Sequence, residues 1–361
     1  MQSAPDETHS SVSATVQLED GPLRVQLDFQ TALAAPDGPE PPQGPAQGTH
    51  PEGMSVQKYV RVNGVPRRAS DLVGQVMAVM FSADDLQLVY GSPAVRRRYL
   101  DILISQLDRR YLRALQRYQR VMAQRNHLLR LIRSGGSRVD ELDYWNDELV
   151  SEGRYVMWER EHAVTELSRQ ASPIHGELTG QGESLELVYR PSVSIDADDS
   201  LEALGEKMRA ALDEQWTREI AQGVTLSGPH RDDLQLLIDG VDVGVYASRG
   251  QSRTATLAMR LAEAQHLADR RGQRPILLLD DVLSELDSTR RNHVLDRVSD
   301  YEQCFITTTG ADPIEQRFLS RMRRVSVRGG RVEKPGEPEA IDDPTPEGLR
   351  DNEQNAADDT V

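Results

Sequence analysis

The chain is poor in several residue types, and each shortage excludes something. It has one cysteine, Cys304, so no internal disulfide can form. In its apolar strand that thiol reads as a small buried hydrophobe more readily than as a reactive group. The only lysines are Lys58, Lys207 and Lys334, and none follows a Gly-rich loop or precedes Ser or Thr; the 361 residues therefore contain no G-x-x-x-x-G-K-[ST] phosphate loop. No apolar run approaches the roughly twenty residues that span a bilayer, and no charged-then-apolar leader is present, which points to the cytoplasm and away from membranes. Net positive charge is also lacking, at −16. Half of that deficit lies in one place: residues 333–361 carry ten Asp/Glu against Lys334 and Arg350, and this Pro/Gly-rich tail is expected to be disordered. Histidines with metal-ligand spacing are absent too, since His230 beside Asp232 and Asp233 has no convergent third ligand.

What is present begins with Pro275-Ile-Leu-Leu-Leu-Asp280-Asp281, an apolar strand that ends in two carboxylates. Buried strands do not end this way unless charge is matched there, and a magnesium ion shared with nucleotide phosphates is a common match. In that reading Asp280 holds the metal's water shell and Asp281 orients or deprotonates an attacking water. The bland alternative is a strand followed by a helix capped by Ser284 or Asp287. A second segment, Ser248-Arg-Gly250-Gln251, opens an amphipathic helix. The unpaired first-turn amides of such a helix favour an anion, and Gly250 permits close approach. Here too an ordinary Ser248 or Ser252 cap explains the residues equally well. The order carries more: the Ser-x-Gly-Gln helix, the strand ending Asp-Asp, Ser284-x-x-Asp287, then the apolar strand from Gln303 to Thr309. Together these match the C-terminal half of an ABC-type ATPase head.

Further motifs stand in one order: Phe81-Ser-Ala-Asp-Asp85-Leu, Gly91-Ser-Pro-Ala-Val-Arg96-Arg97-Arg98-Tyr-Leu-Asp101, Gln124-Arg-Asn126, Gly223-Val-Thr-Leu-Ser-Gly-Pro-His230-Arg231-Asp232-Asp233, and the two segments above. Over about residues 55–330 the chain resembles the RecF recombination-repair ATPases, relatives of the SMC-like heads. The resemblance implies an α/β fold, an ABC-type head of mixed sheet and helices with an inserted helical arm. Members of that family normally open with a phosphate loop. The expectation is that this sequence starts inside the family domain, a degenerate paralogue being the other possibility.

The segments expected are 1–83 as the N-terminal part of the head, with a Pro/Gly-rich loop at 34–54; 84–221 as the arm; 222–332 as the C-terminal half of the head; and 333–361 as the tail. Alternating residues 11–18 and 23–29 read as paired strands, 56–62 as another, with Asn63-Gly64 as a hairpin turn. Ser92-Pro93 reads as a cap and first helical residue. Helices are predicted to about Arg133, from Val139 to Arg169, and over 199–221. Their tryptophans are expected in the core, and the loop at His230 near a dimer interface or nucleotide. Arginines crowd the stretch from Arg96 to Arg133, although a charge run is commonly a solvated face.

What the resemblance implies in function is a homodimer closing over two ATP molecules with Mg²⁺, a weak DNA-dependent ATPase. In it Asp280 serves the metal and Asp281 the water, while Ser248, Gly250, Gln251 and Asp287 meet nucleotide, and Arg96, Arg97 and Arg98 meet DNA phosphates. The partners implied are single-stranded and gapped double-stranded DNA and RecO- and RecR-type mediators, in recombinational repair and the SOS response. Two alternatives remain, a nucleotide-independent DNA- or protein-binding module and a membrane transporter's ATPase subunit. The arm and the Gly-Pro-His-Arg-Asp-Asp loop weigh against the transporter.

Overall fold

In the computed structural model the described residues are 9–18, 21–33, 54–180, 182–310, 314 and 316–333. The Pro/Gly-rich loop, apart from Met54, and the acidic tail, apart from Glu333, lie outside them. The chain divides into two compact units, Met1–Thr309 and Gly310–Val361, so the expected boundaries at 83/84 and 221/222 both fall inside the first.

The first unit opens with an antiparallel sheet in the order β1-β2-β3-β4, formed by β1 (His9–Leu18), β2 (Gly21–Leu33), β3 (Met54–Val62) and β4 (Val65–Arg67). Asn63 and Gly64 take positive φ of 50° and 79°, the twist a two-residue hairpin needs. The Arg24 amide donates to the Asn63 side chain at 2.8 Å, which ties this turn to β2. A second, parallel sheet in the order β10-β9-β5 joins β5 (Ala78–Phe81), β9 (Ile276–Asp280) and β10 (Cys304–Thr307). Parallel neighbours need a crossover, and α8 (Ser288–Val298) supplies it between β9 and β10. Val79, Phe81, Leu277 and Leu279 bury one face of this sheet. Its other face aligns Met80, Leu278 and Phe305, of which Met80 and Phe305 are 48% and 52% exposed. Cys304 pairs with Leu277 on the buried side and is half-buried, and burial pushes its thiol pKa up to about 11, as befits a packing residue.

Between these strands lies the arm. After the short α1 (Gln87–Tyr90), Ser92 and Pro93 start α2 (Pro93–Leu107), and Asp108 caps α3 (Arg109–Arg133) through the Arg110 amide. Helix α4 (Leu142–Thr179) packs back along α3, and α5 (Leu201–Gln222) closes the bundle. Tyr118, Leu149, Met157, Leu204, Met208 and Leu212 form its core, with Trp145 and Trp158 packed against it. A third sheet, β6 (Leu185–Arg190), β7 (Asp233–Ile238) and β8 (Val241–Asp242), leads through α6 (Val243–Tyr246) into α7 (Arg249–Arg271).

Helix α4 is longer than its sequence suggests. It passes through Pro173 and stops only at Gly180, whose φ of 71° suits glycine. A proline inside a helix costs about 3 kcal/mol. Ala171, Ile174 and Leu178 are buried beyond Arg169, where α4 packs on β6 and α7, and each fully buried aliphatic side chain contributes about 1.5–3 kcal/mol, so packing wins. The second unit, over its described residues, has α9 (Gln316–Leu319) and the hairpin β11 (Ser326–Arg328) with β12 (Arg331–Glu333), turned by Gly329 and Gly330.

Candidate nucleotide and nucleic-acid sites

The two carboxylates at the end of β9 are exposed, above the buried Leu277 and Leu279. Parallel register sets Thr307 of β10 opposite Asp280, and the Thr307 hydroxyl donates to Asp280 Oδ1 at 2.6 Å. The same Oγ1 accepts from the Asp281 amide at 3.0 Å. Asp281 takes a φ of 53°, a left-handed conformation that aspartate tolerates at some cost. No basic side chain pairs with either carboxylate among the described residues. Below Asp281, a cavity of about 40 Å³ is lined by Ser82, Asp85, Arg253, Thr256 and Glu285, among others. Arg253 Nε stands 3.0 Å from the Glu285 carboxylate. Asp287 caps α8: one oxygen accepts from the Arg290 amide and the other from its guanidinium, both at 2.9 Å, and the amide bond chiefly lowers the Asp287 pKa. The cap expected as the bland explanation is thus present.

Ser248 and Gln251 form a reciprocal capping box. The Gln251 amide donates to Ser248 Oγ at 3.2 Å, and the Ser248 amide to Gln251 Oε1 at 2.9 Å. Gln251 Nε2 also donates to Glu183 at 2.8 Å, which ties the turn to the segment after α4. The capping box leaves the first-turn amides of Arg249 and Gly250 open, on an exposed surface. A Cβ at Gly250 would meet only Ser248 Oγ, at 3.9 Å, so the approach is unobstructed. Among the described residues no hydrogen bond joins this turn to Asp280 or Asp281.

The three arginines proposed for DNA sit differently from one another. Arg96 makes a two-pronged ion pair with Asp233 at 2.7 and 2.8 Å, and Arg97 donates to the Asp232 carbonyl at 2.7 Å. Both are committed inside the fold, whereas Arg98 is exposed. Two deeper arginines organise the arm. Arg125 is buried against Glu219 at 2.6 Å, with Thr225 and Asn146 taking its other donors. Arg160 is buried against Asp101 at 2.8 Å and the Pro229 carbonyl at 2.6 Å. Burial raises the pKa of the neighbouring Asp232, which accepts from Tyr189. His230 packs against Tyr118 of the arm and, with Arg97 and Arg98, lines a cavity of about 620 Å³.

No family model matches the chain. Among curated proteins it is similar to the DNA replication and repair protein RecF of Chloroflexus aggregans, 42% identical over 326 residues covering 89% of this chain and 80% of that relative. The chain belongs to the RecF family. The RecF of Herpetosiphon aurantiacus is 45% identical over 281 residues, 77% of this chain and 71% of its own length. A solved structure described as the recombination mediator protein RecF-ATP in the RecFOR pathway matches with a TM-score of 0.72 at 28% identity, covering 85% of this chain and 76% of that one. The expected fold class holds: this is an ABC-type ATPase head of the RecF kind with a helical arm.

Whether a RecF-family nucleotide and its metal fit the residues present can be judged from the donors. Among the described residues no group of three or more His, Cys, Asp or Glu could hold a metal alone. Asp280 and Asp281 instead offer exposed oxygens of the kind that bind Mg²⁺ through water, with phosphates completing the shell. The open amides at Arg249 and Gly250 fit a phosphate. The Gly-Lys loop that cradles β- and γ-phosphates is not among the 361 residues. Sequence reasoning missed Thr307, Glu183 and Arg160. Thr307 alone left a signal, a hydroxyl at the end of the next apolar strand.

Proposed function

We propose that this RecF-family head is a DNA-binding switch that closes as a homodimer over ATP and Mg²⁺ at gaps where single-stranded DNA meets duplex. In this reading it works in the cytoplasm with RecO- and RecR-type mediators, assisting recombinase loading in recombinational repair and the SOS response. The observation that carries the proposal is the pair Asp280 and Asp281: adjacent, exposed, free of basic partners among the described residues, and fixed by one threonine. Two unmatched carboxylates at a strand end favour a cation.

Asp280, with one oxygen held by Thr307, would hold Mg²⁺ through the ion's water shell, and the ion would supply positive charge to the phosphates. Asp281 accepts a proton from, or orients, an attacking water. Ser248 and the amides of Arg249 and Gly250 reach the terminal phosphate held by the partner protomer. Asp287 caps α8 through the Arg290 amide and shapes the turn after the acids. The triphosphate, when bound, supplies the bond to be cleaved and the charge that both protomers grip. If closure is coupled to DNA, each ligand raises the other's affinity by the same factor.

Light scattering tests the closure: Mg-ATP should double the scattering mass, and Ser248→Arg should abolish the doubling while the monomer stays folded by circular dichroism. A dimer that survives Ser248→Arg rejects the role of this turn. A second reading is a head that binds DNA without nucleotide. It predicts that Mg-ATP changes neither mass nor DNA affinity.

A further inference from the structure

Helix α3 has the most one-sided charge of the described helices. Its 25 residues include eight arginines and no Asp or Glu, in a chain of net charge −16. The fold sorts these arginines into two sets. Arg125 is buried on Glu219, Arg117 pairs with Glu148 of α4, Arg110 stacks 4.1 Å over the Tyr155 ring, and Arg133 donates to the Gln222 carbonyl. Arg109, Arg113, Arg120 and Arg130 are exposed, and none has a carboxylate partner among the described residues.

Three of the exposed set line up. At 3.6 residues per turn Arg109, Arg113 and Arg120 fall within about 40° of one another, and at 1.5 Å per residue they span about 17 Å. One strand of duplex DNA places a phosphate about every 3.4 Å of axis, so the strip faces roughly five phosphates. The arrangement opposes helix stability twice. Arg109 and Arg113 repel at i, i+4, and cations near an N-terminus oppose the helix dipole, where the capping Asp108 is the one acid beside them. A polyanion relieves both. A protein partner is less suited, because protein interfaces need an apolar core. The strip's neighbours are Gln116, Gln124 and His127, and Leu131 is the one exposed large hydrophobe on this helix.

We propose that the outer face of α3 is the docking surface for the phosphate backbone of duplex DNA. The proposal rests on the DNA-binding part of the function above, and it uses neither Arg96 nor Arg97. The test is fluorescence anisotropy of a labelled 30-base-pair duplex (a probe of about 30 base pairs covers the strip several times over), titrated against salt without nucleotide. Failure of ATP-driven closure therefore leaves this test untouched. For the triple variant Arg109→Gln, Arg113→Gln, Arg120→Gln the slope of log K against log salt should fall by roughly 2.7, about 0.9 per lost contact. With a shared intercept at about 1 M, that is a loss of a few hundredfold in affinity near 0.1 M salt. Arg138→Gln, at an exposed arginine paired with Asp140 at 2.8 Å, should leave the slope unchanged. An unchanged slope in the triple variant rejects this surface while DNA binding elsewhere stands. An equal loss per charge in Arg138→Gln rejects it as a mere net-charge effect, and a wild-type chain that fails to bind duplex at low salt rejects the partner altogether.

Discussion

Acidification should destabilise the fold through His230. The His230 Nε2–H donates to the Thr225 carbonyl at 3.0 Å, which leaves Nδ1 to accept from the Tyr118 hydroxyl at 2.7 Å, so the packed ring is the neutral tautomer. Burial, aided by Arg231, Arg97 and Arg125, pushes its pKa down to about 4. Below pH about 6.5 the unfolded chain takes up a proton that the folded chain refuses. The stability contributed by the neutral ring is therefore present above that pH and lost as pH falls toward 4. A shift of this size is on the order of 3 kcal/mol in full, of which about 2 kcal/mol should be gone by pH 5. Urea unfolding at pH 7.5 and 5, for wild type and His230→Gln, isolates the contribution, because every other titrating group is common to both. The wild type should lose roughly 2 kcal/mol more than the variant over that interval. Equal losses, or an NMR titration placing His230 near 6.5, would refute the packing argument.

Arg125→Met leaves Glu219 charged and buried, and should cost about 3–5 kcal/mol by chemical denaturation, with most of it recovered when Glu219→Met is added; a cost under about 1 kcal/mol contradicts the burial of this pair. Arg96→Gln should lower stability by about 1–2 kcal/mol through the lost Asp233 pair and leave the DNA salt slope alone. A flatter slope at unchanged stability would return Arg96 to the list of phosphate contacts. Asp287→Ala should destabilise by about 1 kcal/mol, with Asp287→Asn retaining most of the cap. Equal effects of the two would mean that the carboxylate does more than cap.

Much of the head was readable from local pattern. The strand ending Asp280-Asp281 announces itself because an apolar run stops at two acids, and the box at Ser248 and Gln251 because its residues lie three apart. Asn63-Gly64 and Ser92-Pro93 likewise act on their nearest neighbours. What stayed hidden depends on contacts distant in sequence. Arg125 finds Glu219 94 residues along the chain, and Arg96 finds Asp233 137 residues along. An arginine-rich stretch therefore reads as one surface although Arg96, Arg97 and Arg125 turn into the fold. The helix predicted to end at Arg169 runs on for a related reason: the local penalty of Pro173 is real, and packing on β6 and α7 exceeds it. Thr307 left only a hydroxyl at the end of an apolar strand in the sequence, and the sheet order is what sets it beside Asp280.

The central claim is that the acids of β9 couple nucleotide to DNA. The direct measurement is the affinity for a gapped duplex with and without Mg-ATP, for the wild type and Asp280→Asn. The account predicts tightening by about fivefold or more with Mg-ATP, and no response in the variant, whose nucleotide-free affinity matches the wild type. Wild-type affinities that are the same with and without Mg-ATP would contradict it.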